Sequence, residues 1–159
     1  METFFKYLNT FPMPLWLAMM FAPNHPLTER ASRSSTVLGI AAAHYVLAIL
    51  NAIRQDQNSS GEVKLDIMSL EGVRTGLSSP QGALAGWAHM LALDLFTGAW
   101  IFRQCRRLNA PGWVRIPALF FTLMTGPFGL IIFFGTLWCH RCRISFAERR
   151  RKNLAQCDA

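Results

Sequence analysis

At 159 residues the chain is long enough for one domain, and 52% of it is hydrophobic against only 16% charged. A soluble domain usually carries about 25% charged residues. The shortage excludes a disordered tail, a nucleic-acid module with a basic reading face and an ordinary water-soluble enzyme. Of the nine acids behind the net charge of +7, only Asp94 lies inside a long apolar stretch. The composition points to a small membrane protein, and four apolar stretches make the expected fold an all-α integral membrane four-helix bundle.

The first predicted span is 7–23, with Pro12 and Pro14 suited to a helix's first turn and Pro23 and Pro26 to its end. A secretory signal with Lys6 as its charged region is the competing reading, but no small-x-small cleavage site follows Leu15–Phe21. The second span, 36–53, is uncharged, contains His44, and can be capped by Ser34 or Ser35. After it, Val63–Ile67 alternates like a short strand or interfacial piece. The third span, 83–102, is interrupted only by His89 and Asp94, with Pro80 just ahead of it. Ala110-Pro111-Gly112 breaks the chain before the fourth, 116–138, whose 23 residues carry no charge. Residues 139–159 form a basic juxtamembrane tail, with Arg149-Arg150-Arg151-Lys152 drawn to anionic lipid. With four spans, ten Lys and Arg fall on one face and six on the other. The positive-inside rule then places both termini on the cytoplasmic or stromal side.

Asp94 is the first residue to weigh for chemistry. An ionised carboxylate at mid-membrane is costly and usually faces the bundle interior. Held neutral there, it is a proton donor at pH 7, as a general acid must be. The bland alternative is a helix–helix hydrogen bond to His44, to Thr122 or to a carbonyl freed by Pro127. His89, five positions before Asp94, lies about 140° away around the helix. Any histidine partner for Asp94 must therefore come from another helix, and His44 is available. Gly126-Pro127-Phe128-Gly129 reads as a bend in a cavity wall or a plain packing kink, because Pro127 lacks an N–H and clashes with the Leu123 carbonyl. Cys139-His140-Arg141-Cys142 is at best half a zinc site, since a full one needs four ligands and the neighbouring arginines repel a cation. No phosphate loop, Ser/His/Asp signature or HExxH is present.

Gly86-Trp87-Ala88-His89-Met90-Leu91-Ala92-Leu93-Asp94-Leu95-Phe96-Thr97-Gly98 resembles the signature of the ABA4-like family. Two further blocks, Met13-Pro14-Leu15-Trp16 and Thr125-Gly126-Pro127-Phe128-Gly129-Leu130, are similar to it and stand in family order. Ala99 departs from the pattern, which carries an arginine after Gly98. The resemblance implies a four-helix protein of plastid or cyanobacterial membranes, tied to the isomerisation of violaxanthin to neoxanthin. That reaction needs no cofactor and no metal. It needs a proton delivered to an epoxide oxygen and another removed from a nearby polyene carbon. Asp94 is the expected acid and His89 or His44 the base. Trp87, Phe96, Trp100, Pro127 and Phe128 are expected to line a cleft for the carotenoid. The expected partners are the lipid bilayer and that pigment, with room for a homo-oligomer or other membrane proteins and none for nucleic acid. The alternative is a non-enzymatic carotenoid-binding or scaffold protein, in which Asp94 and both histidines are interhelical ties. A small proton-coupled carrier is a third reading, disfavoured by so few spans.

Overall fold

The computed structural model describes residues 2–58 and 68–140, so the Val63–Ile67 alternation and residues 141–159 lie outside it. Every regular element among the described residues is helical: α1 (Glu2–Thr10), α2 (Met13–Phe21), α3 (Pro26–Arg33), α4 (Ser35–Asn58), α5 (Leu70–Ser78), α6 (Pro80–Arg107), α7 (Gly112–Thr125) and α8 (Pro127–His140).

Local chemistry sets the boundaries. His25 caps α3 by accepting from Leu27 N–H, with Pro26 in the first turn, where its missing N–H costs nothing. Ser34 Oγ accepts from Val37 N–H at the start of α4, and α3 and α4 meet at a 50° bend. Ser79 Oγ accepts from Gly82 N–H at 3.0 Å and Pro80 opens α6. The chain leaves α6 through Asn109 at φ +49° and restarts α7 after Pro111.

α6 is the axis of the molecule. Its 28 residues rise about 42 Å and Asp94 is the fifteenth of them. It is the one helix among the described residues long and apolar enough to cross a membrane by itself; the bent pair α3–α4 qualifies when taken together. α1–α2 runs in the same direction as α6, because Asn9 meets Trp87 while Trp16 lies on Gly98. α4 runs back antiparallel, from the Arg103 contact with Ser32 past the Tyr45–His89 ring pair. Ala48, Ala85 and Ala88 are buried with Leu8 where α1, α4 and α6 meet, and their small side chains let the backbones approach.

The second and larger core joins α2, α6, α7 and α8 around Trp16, Met19, Phe102, Leu119 and Phe133. A Cβ at Gly98 would lie 2.2 Å from the Trp16 ring, so a hydrogen there is what lets the indole lie flat on α6. Ala99 beside it is fully buried, a packing position in this chain.

The apolar stretch expected to cross as one helix from 116 to 138 is two antiparallel helices. Trp113 in the first turn of α7 meets His140 at the end of α8, ring centroids 5.8 Å apart. A Cβ at Gly129 would fall 2.4 Å from Thr122 N and 2.6 Å from Ala118 O, so α8 folds directly back onto α7. The reversal changes where the ends lie. Glu2 shares a groove with Pro80 at one pole, whereas His140 lies at the other, beside the start of α7. Among the described residues, α8 thus returns to the pole that α7 left.

Candidate functional site at the hairpin tip

Asp94 and the α7–α8 turn define the site. α7 ends because Gly126 precedes a proline, which disfavours the helical conformation, and because Gly126 itself takes φ +59°. Gly126 N–H still bonds the Thr122 carbonyl at 2.9 Å, closing the last turn. Pro127 then opens α8, where no N–H is needed.

From the neighbouring helix, half-buried Asp94 reaches this turn. A Cβ at Gly126 would lie 2.7 Å from Asp94 Oδ1, so glycine is required twice over, for its φ and for the carboxyl's room. The carboxyl stands beside the start of α8, where Pro127 has no N–H and Gly129 N–H already bonds the Gly126 carbonyl at 3.1 Å. Both helices of the hairpin extend from this tip toward the pole where α6 ends. Asp94 therefore lies halfway along α6, beneath a reversal that penetrates only half its length.

The two histidines are placed differently from expectation. His44 Nδ1 donates to the Ile40 carbonyl at 2.7 Å, one turn back on its own helix. Its ring lies among Phe4, Tyr7 and Phe11, at 6.3, 5.2 and 5.4 Å. His89 is exposed and packs on Tyr45 at 4.9 Å. Among the described residues the ion pairs do not include one between Asp94 and either histidine. Thr122 is not the carboxyl's hydroxyl partner: its Oγ1 donates to the Ala118 carbonyl at 2.8 Å.

Nor do the five expected lining residues share one cleft. Trp87 donates its indole N–H to Asn9 and borders a groove of about 420 Å³ with Glu2, Phe5, Pro80, Ala83 and Leu84. Trp100 lies thirteen residues on, about 20 Å along the helix, and packs on Phe133 and Phe134 of α8. Phe128 meets Phe121 edge to face beside exposed Pro127, near the tip. Phe96, 53% exposed, points away from Asp94, since two positions on a helix subtend about 200°. Only Phe128 and Pro127 join Asp94 at the turn. The Cys139–Cys142 pair extends outside the described residues, and those described hold no group of three metal-ligating side chains.

The residue that pattern reading undervalued is Gly126. Its signal was present as a glycine directly before a proline in an apolar run, a combination that permits a full reversal as readily as a kink.

Neither a curated protein nor a solved structure matches the chain. The family model described as ABA DEFICIENT 4-like matches residues 3–133, from α1 well into α8, and includes Trp16, Asp94 and the Gly126-Pro127 turn. The chain belongs to the ABA4-like family.

Proposed function

We propose that this chain is an integral membrane protein of a plastid or bacterial inner membrane that binds a xanthophyll within the bilayer and isomerises it, violaxanthin to neoxanthin. The single observation that carries the reading is Asp94 held at mid-helix against the Gly126 turn, in a family tied to that pigment. Supporting it, the outer faces are apolar: Leu47, Leu93, Ile131 and Phe134 are all more than half exposed.

In the bilayer, α1–α2, α4 and α6 are the crossings and α7–α8 is a re-entrant hairpin whose buried backbone reversal is covered by α6. This arrangement also sorts the charge better than four spans do. Arg30, Arg33, Arg103, Arg106, Arg107 and Arg115 gather at the hairpin's entry, and the six cations of 141–152 follow α8 from there. Lys6, Arg54, Lys64 and Arg74 belong to the opposite side. Twelve of the sixteen cations thus fall on one face, which the positive-inside rule assigns to the cytoplasm or stroma.

One carboxyl can carry the whole isomerisation. Asp94 gives its proton to the epoxide oxygen as the C–O bond breaks. Its carboxylate then takes the proton from the adjacent polyene carbon, whose C–H electron pair becomes the new double bond of the allene. The proton count returns to its start, as an isomerisation requires. His44 and His89 are packing residues in this account. A non-enzymatic pigment-binding protein is the second reading, favoured by the close contact of the carboxyl with the Gly126 turn, which ties α6 to the hairpin.

The test is the pigment profile of a violaxanthin-producing cell that lacks neoxanthin, with and without this chain. Neoxanthin accumulating at the expense of violaxanthin is the expected result. An unchanged profile with the chain present in the membrane sinks the enzymatic reading and leaves pigment binding.

A further inference from the structure

We propose that the pole where α6 ends and α7 begins is a binding surface for the phosphate headgroup of an anionic lipid, centred on Arg103, Arg106 and Arg115. Among the described residues this pole carries Arg30, Arg33, Arg103, Arg106, Arg107 and Arg115 against a single acid, Glu29. Glu29 is already shared, 2.9 Å from Arg33 and 3.8 Å from Arg106. Arg106 also donates to Asn24 at 2.6 Å, and Arg103 donates to the Ser32 carbonyl, so both side chains are held in place. Arg115 Nε is buried with no hydrogen-bond partner. Arg106 and Arg115 are near enough to repel each other, as are Arg33 and Arg103.

Fixed guanidinium groups that repel each other, with one buried donor unused, are a site for an anion. Their planar forks suit the paired oxygens of a phosphate. The surroundings select a lipid over a free ion. Phe21, Leu27 and Trp113 are exposed at the same pole, giving acyl chains an apolar border while the arginines take the headgroup. A dissolved phosphate gains nothing from that border. The site is built from side chains of α3, α6 and α7 and is separate in sequence from the basic run Arg149–Lys152.

The proposal rests on the membrane placement above, and its test separates the two. The full chain is purified in neutral detergent and its thermal midpoint followed with added phosphatidylglycerol, phosphatidylcholine or inorganic phosphate. Phosphatidylglycerol is expected to raise the midpoint by about 5 °C, and the other two to leave it unchanged. The shift should vanish in Arg106→Gln/Arg115→Gln and persist when Arg149, Arg150, Arg151 and Lys152 are all replaced by glutamine. Native mass spectrometry of the unaltered chain supplies a readout independent of any variant, with phosphatidylglycerol retained over phosphatidylcholine. Equal effects of the two lipids, a shift reproduced by phosphate alone, or one lost only in the tail variant would each overturn it. A chain that stays folded and soluble without detergent contradicts the membrane reading instead.

Discussion

Asp94→Asn is expected to lower conversion of violaxanthin to neoxanthin by about 10³-fold or more, at unchanged protein abundance. Asparagine keeps the volume and the planar group against Gly126, so the hairpin tip has no steric reason to move. What disappears is the acidic proton that the first step of the proposed isomerisation delivers and the carboxylate that the second step uses as a base. His44→Ala and His89→Ala should stay within a few-fold of the unaltered chain, since His44 bonds its own helix and His89 packs on Tyr45. Pigment analysis normalised to membrane-bound protein distinguishes the readings. If Asp94→Asn chiefly reduces abundance while conversion per molecule persists, the carboxyl is a structural tie between α6 and the hairpin. If either histidine variant abolishes conversion, the single-carboxyl mechanism fails.

Gly129→Val should be the most damaging substitution for the fold, costing about 3 kcal/mol. Its first added atom would stand 1.9 Å from Thr122 Oγ1, and the clash extends to Thr122 N and Ala118 O, which are backbone and cannot rotate away. The hairpin would have to splay, drawing Phe133 from the shared core. Trimming the hydroxyl therefore gives no rescue: Gly129→Val/Thr122→Ala should unfold in detergent at about the same temperature as Gly129→Val. Gly135→Ala, on the same helix with open space around it, should be neutral or mildly stabilising. Thermal unfolding of the three variants is the check. Recovery in the double variant would mean that α8 does not press on the α7 backbone.

Much of the helical framework was legible because its signals are local. The stretches 36–53 and 83–102 fall inside α4 and α6, and Ser34, Pro80 and the Ala110-Pro111-Gly112 break do locally what their side chains and rings dictate. Asp94 stood out because a carboxyl in an apolar run violates its surroundings. The reversal at Gly126 was not legible, since a proline in an apolar run fits a kink and a turn equally well. What separates them is a positive φ and a glycine contact with the preceding helix, both set by tertiary packing. The surroundings of the histidines are not legible in the sequence for a related reason. Helical periodicity gives their direction on their own helix, but not that Phe4, Tyr7 and Phe11 lie across from His44. Trp87 and Trp100 looked like one lining because they share a sequence block, although about 20 Å of helix divides them.

The most direct measurement of the central claim, that Asp94 sits at mid-membrane under a hairpin entering and leaving by one face, is the sidedness of the two chain ends. Thr3→Cys in a chain whose native cysteines are serine, and separately a chain retaining only Cys157, can be labelled with a membrane-impermeant maleimide in sealed, oriented vesicles. Opposite accessibility is the predicted result, with Cys157 on the cytoplasmic or stromal side and position 3 across the membrane. Both labels reacting from the same side would restore a fourth full crossing, remove the hairpin tip from Asp94 and contradict the account.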